Sequence, residues 1–442
     1  MSLPTFRGGI HPPDNKALTS GKEIETLTPS GDLVYPMSQH IGAPCSPVVK
    51  KGDRVLVGQK IGDTEAFVSA PIMSSVSGTV KEIGMRMTVS GGTDQCVVVE
   101  NDGQYEAGAS LVPHGDFKSL DPKECIKIVR EAGIVGAGGA TFPTHVKLSP
   151  PPDKKIKWVI VNGAECEPFL NCDNRLMLEN PVPIVGGLEI CMHIFPEAEG
   201  IIAIENNKPD AIANMEKELS GRGSRARVMP HKVKYPQGAE KMLIYTVTGQ
   251  EIPSGALPAE VGCLVMNIRT LYQIWRAIID GAPVTDRIVS VTGDVIANPK
   301  NIQAPLGTSV RELIDFAGGF TEEPARLLSG GPMMGLSMRS IDVPIVKGTS
   351  GILALSAQAA SGLEESNCIR CARCVTHCPM GLQPTLLDQV VRLREYGEFE
   401  AAGGFNCIEC GCCSYICPAR RHLTQSMRDG KAGVLAARKK SA

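Results

Sequence analysis

Cys368-Ile369-Arg370-Cys371-Ala372-Arg373-Cys374-Val375-Thr376-His377-Cys378-Pro379 and Cys407-Ile408-Glu409-Cys410-Gly411-Cys412-Cys413-Ser414-Tyr415-Ile416-Cys417-Pro418 are two copies of one pattern, C-x2-C-x2-C-x3-C-P. In such a run three thiolates on a short loop reach one [4Fe–4S] cubane, and the fourth, ahead of proline, turns to the neighbouring one. The spacing predicts one centre on Cys368, Cys371, Cys374 and Cys417 and a second on Cys407, Cys410, Cys413 and Cys378. A chain so equipped carries single electrons. A zinc site would use four thiolates and leave the other four, with both prolines, unexplained. Cys412 is out of phase with its run and reads as a bystander thiol. His377 could act as a Rieske-type ligand, but each cubane already has four thiolates, so it reads as a neighbour of the cluster or a surface residue.

The rest of the chain reads as ordinary globular protein. Its 442 residues suggest about three domains. With 45 Lys and Arg against 47 Asp and Glu, net charge gives no reason to expect nucleic acid or an anionic membrane as the main partner. No apolar run approaches the ~20 residues needed to span a bilayer. Met1-Ser2-Leu3-Pro4 lacks the charged and apolar regions of a secretory signal. The 16 cysteines are therefore expected to be ligands or buried thiols in a reducing compartment.

Working toward the N-terminus, the pattern predicts a multidomain α/β protein with boundaries at 1–115, 116–283, 284–355 and 356–442. In the first segment, Val48-Val49, Val55-Leu56-Val57, Phe67-Val68, residues 76–80 and Val97-Val98-Val99 read as short strands between turns such as Lys51-Gly52-Asp53 and Ser77-Gly78-Thr79. A small β-sandwich or barrel is expected. Residues 69–80 resemble the turn of biotinyl/lipoyl-type sandwich domains, but Met73, Ser74 and Ser75 stand where those domains carry a lysine, so no covalent carrier chemistry is expected.

A helix should follow, capped by Asp121, opened by Pro122 and Glu124, and ended by Gly133. Cys125, Ile128, Val129 and Ala132 form its apolar stripe. Trp158-Val159-Ile160-Val161, Ile201-Ile202-Ala203-Ile204 and Cys263-Leu264-Val265-Met266 read as buried strands alternating with helical patterns such as 210–219. This alternation predicts a Rossmann-like parallel sheet, whose ligands bind at the carboxyl ends of strands, where Asn162, Glu205 and Asn267 fall. Residues from 284 suggest a small mixed α/β domain. Helical spacing at Leu386, Leu387, Val390, Val391 and Leu393 makes the C-terminal module more helical than a minimal two-cluster ferredoxin.

Two further segments carry chemistry. In Gly133-Ile134-Val135-Gly136-Ala137-Gly138-Gly139-Ala140-Thr141-Phe142-Pro143-Thr144 the glycines would let backbone N–H groups wrap a phosphate, though a glycine run is also an ordinary tight turn. Lys147 could neutralise such a phosphate. Asn162-Gly163-Ala164-Glu165-Cys166-Glu167-Pro168 places two carboxylates at a strand's end, where they bind something or face water.

These two segments, with Tyr235-Pro236-Gln237-Gly238-Ala239-Glu240 and Asn267-Ile268-Arg269-Thr270, resemble the FMN- and NADH-binding flavoprotein subunit of respiratory complex I. A closer resemblance spans nearly the whole chain. Phe6-Arg7-Gly8-Gly9-Ile10-His11-Pro12-Pro13, Gln39-His40-Ile41-Gly42-Ala43-Pro44, residues 136–148 and 235–241, Ser329-Gly330-Gly331-Pro332-Met333-Met334-Gly335 and the doubled cysteine runs are similar to the C subunit of Rnf-type ion-translocating ferredoxin:NAD⁺ oxidoreductases.

The resemblance implies a barrel-sandwich-hybrid-like first domain, a Rossmann-like domain binding FMN non-covalently with NAD(H) on its ring, a β-grasp domain of the soluble-ligand-binding type acting structurally, and a helical two-[4Fe–4S] ferredoxin-like module. It implies that Gly136, Gly138, Gly139 and Lys147 hold the FMN phosphate. Asn162, Glu240, Asn267 and Thr270 would contact the ribityl chain or ring, Glu165 and Glu167 would lie near the nicotinamide as the catalytic pair, and Phe142 would stack on the adenine. It further implies an NAD-linked oxidoreductase subunit docked peripherally on the cytoplasmic face of the cell membrane, with other subunits of the complex as partners and electrons exchanged ultimately with ferredoxin. The complex I pattern has arginine at Ala137, glycine at Thr141, and one cluster rather than two. Two other readings share the parts: a soluble flavin/iron–sulfur reductase such as cobalamin reductase, and an electron-wiring module that binds no nucleotide.

Overall fold

Buried strands with both faces covered need near-continuous apolar sequence, and Val159, Ile160 and Val161 are completely buried. In the computed structural model, which describes residues 3–108, 111–360 and 364–441, they form the inner strand of a four-stranded parallel sheet. Met1 and Ser2 of the N-terminus read above lie outside the described residues. The sheet order is Arg227–His231, Glu199–Glu205, Trp158–Gly163, Cys263–Asn267, with Asn162 level with Asn267 across the last pair. Helices Pro122–Glu131, Pro181–Ile194 and Ile268–Ile279 contribute to the larger core on one side, and Glu240–Thr248 packs Leu243 and Ile244 against Ile160, Ala203 and Val265 on the other. Asp121 caps the first of these helices, accepting from Lys123 N at 2.8 Å.

The first segment folds into a four-stranded antiparallel sheet (Leu33–Pro36, Thr93–Asn101, Gly78–Met87, Arg54–Val55) and a three-stranded one (Ser46–Pro47, Lys60–Asp63, Ile72–Met73) around Leu33, Tyr35, Ile61, Ile72, Val97 and Val99. Four local expectations need correction. Ser77-Gly78-Thr79 is no turn: Gly78 opens a ten-residue strand, and its glycine is required because a Cβ would lie 2.0 Å from Glu100 O on the paired strand. Phe67-Val68 is not a strand; Phe67 is exposed and meets His145 edge-on at 5.6 Å. Val48-Val49 lies just beyond the two-residue strand Ser46–Pro47. Met73, Ser74 and Ser75 do not form an exposed tip. All three are buried, and Ser75 Oγ donates to Leu306 O at 2.6 Å, tying this unit to the next.

The third unit is a six-stranded mixed sheet in the order Ile24–Thr26, Lys300–Pro305, Asp286–Thr292, Gly351–Leu355, Arg326–Ser329, Leu336–Ser337, with helix Val310–Phe316 packed into its core. Its first strand comes from the N-terminal segment, which therefore ties the two units by main-chain pairing. The C-terminal unit is helical. Helices Pro384–Arg392, Tyr396–Ala401 and Leu423–Ser441 bury Leu387, Phe399 and Met427, and Asp388 beneath them accepts from Ser426 Oγ (2.6 Å), Arg421 Nη2 (2.6 Å) and Arg392 Nε (3.0 Å). No described helix is long and apolar enough to cross a membrane.

Helix Pro181–Ile194 crosses Ile268–Ile279 through glycines: a Cβ on Gly187 would lie 2.1 Å from Leu271 O. Ala normally stabilises a helix interior relative to Gly by about 1 kcal/mol. Here the sign reverses, and Gly187→Ala is expected to destabilise by about 1–3 kcal/mol through overpacking, as measured by the urea or thermal unfolding transition.

Candidate functional site

The cysteine runs enclose two cavities. One is lined by Cys407, Cys410 and Cys413 together with Cys378 from the other run. The second is lined by Cys368, Cys371 and Cys374 together with Cys417. Each is a thiol-walled space fed by both runs, and the donor set fits a [4Fe–4S] centre. Burial separates them. Cys410 and Cys413 are buried and Cys407 and Cys378 half-buried, whereas Cys368 and Cys371 are exposed, with Ile369 between them 66% exposed. Cys412 also lines the inner cavity, fully buried. His377 faces away from ligation: its Nδ1 lies 2.9 Å from Arg373 O, and its carbonyl accepts from Gly9 N at 2.9 Å.

The second site lies at the carboxyl end of the parallel sheet. The glycine loop passes over Asn267 so closely that a Cβ on Gly138 would lie 2.8 Å from Asn267 Nδ2, while around Gly139, at φ +143°, a Cβ would meet nothing within 4 Å. A side chain at the first position would have to displace Asn267, and the second opens onto free space, as an anion cradle requires. Gly136 N donates to Phe142 O (2.9 Å), closing the loop, and Thr270 Oγ1 accepts from Ala137 N (3.0 Å). Thr141 adopts φ +52°, the left-handed region in which the resembled pattern has glycine. Lys147 Nζ lies 3.2 Å from Glu240 and donates to Val265 O at 3.3 Å. Asn162 Nδ2 donates to Gly238 O (2.8 Å), and Asn267 Nδ2 to Asp173 Oδ2 (2.6 Å). The loop thus gathers Gly138, Asn267, Asp173 and Thr270, and two further contacts, Lys147–Glu240 and Asn162–Gly238, tie the neighbouring segments. Phe142 contributes its carbonyl to the loop closure and is half-buried.

The two carboxylates of the 162–168 segment are turned inward. Glu165, at φ +46°, accepts from Asp173 N (2.7 Å) and Asn174 N (3.2 Å) at the start of helix Cys172–Glu179. Glu167 accepts from Met333 N (3.1 Å) and Met334 N (2.9 Å) of the third unit. Burial pushes Glu165 up, with Lys16 and Lys208 pulling back, and it pushes Glu167 up to about 7. Asp173 is likewise raised by burial.

Lys16 and Lys208, which local sequence patterns do not single out, hold this segment. Lys16 Nζ donates to Glu167 O (3.0 Å) and to Leu170 O, and Lys208 Nζ donates to Ala164 O (2.7 Å). Glu205, 2% exposed, pairs with Lys208. Tyr235 OH donates to Cys410 O at 2.8 Å, and Ile10, Tyr235, Cys410 and Cys412 form one buried cluster with Cys166 and Met333 against it. The glycines of the N-terminal motif are needed there, since a Cβ on Gly8 would lie 2.8 Å from Cys378 O. Ile10 and Tyr235 exchange both main-chain hydrogen bonds. The inner thiol cavity and the carboxylate segment are therefore one continuous buried region.

A parallel sheet with a glycine loop, wired by a buried tyrosine to paired four-cysteine cavities, defines a flavin and iron–sulfur electron-transfer protein. Family comparison assigns residues 4–104 to the RnfC barrel sandwich hybrid domain, 129–276 to the Nuo51 FMN-binding domain, 288–337 to the SLBB domain and 361–418 to the 4Fe-4S dicluster domain. The chain is 49% identical over 387 residues (87% of this chain, 84% of the relative) to the C subunit of the proton-translocating ferredoxin:NAD(+) oxidoreductase complex of Clostridium ljungdahlii. It is 46% identical over 436 residues (99% and 98%) to the C subunit of the Na(+)-translocating ferredoxin:NAD(+) oxidoreductase complex of Acetobacterium woodii. The chain belongs to the C-subunit family of these Rnf-type complexes. Among solved structures, NAD+-reducing [NiFe]-hydrogenase in the air-oxidized state shares the fold, with a TM-score of 0.51 and 18% identity over 75% of this chain and 67% of that one.

Glu167 holds its proton more tightly in the folded chain, near 7, than at its ordinary value of 4.5. Its contribution to stability is complete below about pH 4.5 and lost as pH rises through about 7. Glu167→Gln is expected to flatten the fall in unfolding free energy between about pH 5 and about pH 7.5 by on the order of 2 kcal/mol, as followed by denaturant titration of the full chain.

Proposed function

We propose that this chain passes electrons between NAD(H) and two [4Fe–4S] centres through non-covalently bound FMN, as a peripheral subunit of a membrane complex that couples ferredoxin:NAD⁺ oxidoreduction to ion translocation. The complex-level activity follows from the named relatives at 46–49% identity, which cover most of the chain. Docking on the cytoplasmic face fits a chain with no described membrane-spanning helix. The units divide as 1–115 barrel-sandwich, 116–283 flavin and nicotinamide, 284–355 β-grasp and 356–442 cluster module.

FMN supplies the exchange between two-electron and one-electron transfer that nicotinamide and iron–sulfur chemistry require. The protein's residues do the rest. Gly138 and Gly139 offer N–H groups to the phosphate, with Lys147 near, while Gly136 shapes the loop through its own N–H bond to Phe142 O. Asn162, Glu240, Asn267 and Thr270 border the ribityl and ring positions. Glu165 and Glu167 face the nicotinamide side, where carboxyl groups raised by burial avoid placing two fixed negative charges beside a nucleotide. Phe142 offers an aromatic face for adenine. Cys407, Cys410, Cys413 and Cys378 hold the inner cluster, and Cys368, Cys371, Cys374 and Cys417 the outer one.

The observation that carries this reading is the contact of Tyr235 OH with Cys410 O at 2.8 Å, within a buried cluster that includes Cys166 of the carboxylate segment. It supports the order flavin, inner cluster, outer cluster, and the exposure of Cys368 and Cys371 supports their centre as the terminal that meets a partner.

Cys378→Ser and Cys407→Ser are each expected to remove the same cluster. Anaerobically purified protein should then lose about half its iron and sulfide. The double variant should lose no more than either single one. NADH should still bleach the flavin in both, while reduction of the remaining cluster slows. Loss of different clusters by the two variants, seen by electron paramagnetic resonance, would refute the crossed ligation, and a wild-type preparation without flavin would refute the electron path.

A further inference from the structure

Arg287 stands on strand Asp286–Thr292 of the third unit, outside the flavin sheet, and is 3% exposed. Its Nε donates to Thr349 O at 2.6 Å and its Nη2 to Ala137 O, while Nη1 has no hydrogen-bond partner among the described residues. No carboxylate forms an ion pair with it among the described residues. The groups that act on it through space, Cys172 and Asp173, make no hydrogen bond or ion pair with it among the described residues. A buried guanidinium is kept without a paired counter-charge only where something else completes it. The loop it touches, residues 136–141, carries no charged side chain, and Lys147 is engaged by Glu240.

In a trans peptide the carbonyl and the following N–H point in opposite directions. Pinning Ala137 O toward Arg287 therefore aims the Gly138 N–H away from it, on the loop's other side. A charge-assisted bond to the carbonyl also polarises the peptide and strengthens that N–H as a donor. The same unit braces the loop twice more. Lys347 Nζ donates to Gly133 O at 2.7 Å, and Gly348 lies where a Cβ would come within 2.6 Å of Thr141 Cγ2.

We propose that Arg287 is a positioning residue of the flavin phosphate site, acting from the third unit through the Ala137–Gly138 peptide, so that the unit taken above as structural completes the binding of a phosphate monoester dianion. This rests on the FMN reading and adds to it a residue outside the flavin domain.

The test uses the full chain with its clusters intact and its flavin removed, titrated with FMN and with riboflavin by fluorescence quenching. Arg287→Gln should weaken FMN by about tenfold or more and leave riboflavin within about twofold, with iron content unchanged; Arg287→Lys, which keeps the charge but not the two-carbonyl fork, should fall between. Equal losses for both flavins would show a merely structural role, and unchanged FMN affinity would show none; either overturns the proposal. Wild-type protein that fails to bind FMN would instead overturn the flavin reading. Should Arg287→Gln not fold, hydrogen exchange on the wild type decides. FMN, but not riboflavin, should protect amides in both 137–139 and 346–350, and equal protection by the two ligands overturns the proposal.

Discussion

Main-chain carbonyls turned away from water must find donors, and at the centre of this protein the donors are buried cations. Lys16 and Lys208 take the carbonyls of Ala164, Glu167 and Leu170, and Arg287 and Lys347 take those of Ala137 and Gly133. The two irregular segments that build the ligand site are thereby fixed without regular secondary structure. Four positive side chains, each at most 8% exposed, stand among buried carboxyl groups, with Lys208 against Glu205, and Lys16 limits how far Glu165 and Glu167 are raised by burial.

The units meet at this centre because each lends it something. The N-terminal segment contributes Lys16 and the Gly8-Gly9-Ile10 strap, the third unit contributes Arg287, Lys347 and the Met333–Met334 amides, and the cluster module contributes Cys410 O. Gly8, Gly138 and Gly331 are each pressed against a partner that a Cβ would displace, at 2.8, 2.8 and 2.2 Å. Gly8 also needs its left-handed φ of +78°, whereas Gly138 and Gly331 serve by letting the Asn267 and Glu167 side chains approach the backbone closely.

What the sequence made legible was what it encodes locally. Thiol spacing distributes Cys378 and Cys417 to opposite cavities, continuous apolar runs mark the parallel strands, and Asp121-Pro122 marks a helix start, because each depends on residues within a few positions. The third unit's part in the site was not legible, nor were Lys16 and Tyr235 OH. Lys16 reaches a carbonyl 151 residues away, and Arg287 one 150 residues away. No periodicity records such pairings. The one signal available for Arg287 was a charge entering the apolar strand Ile288-Val289, which only burial makes meaningful. Glycine misled in one place, where Gly78 read as a turn and instead allows a strand to lie tight against Glu100 O.

The interleaving of the two cysteine runs bears on how the molecule comes into being. Neither thiol cavity has its full wall until residues from both sides of the 384–406 helical stretch have come together. A nascent chain halted before the second run offers three cysteines to one centre and a single one to the other, so a truncated product can close neither. Neither centre therefore has its full set of thiolates until synthesis has passed the second run.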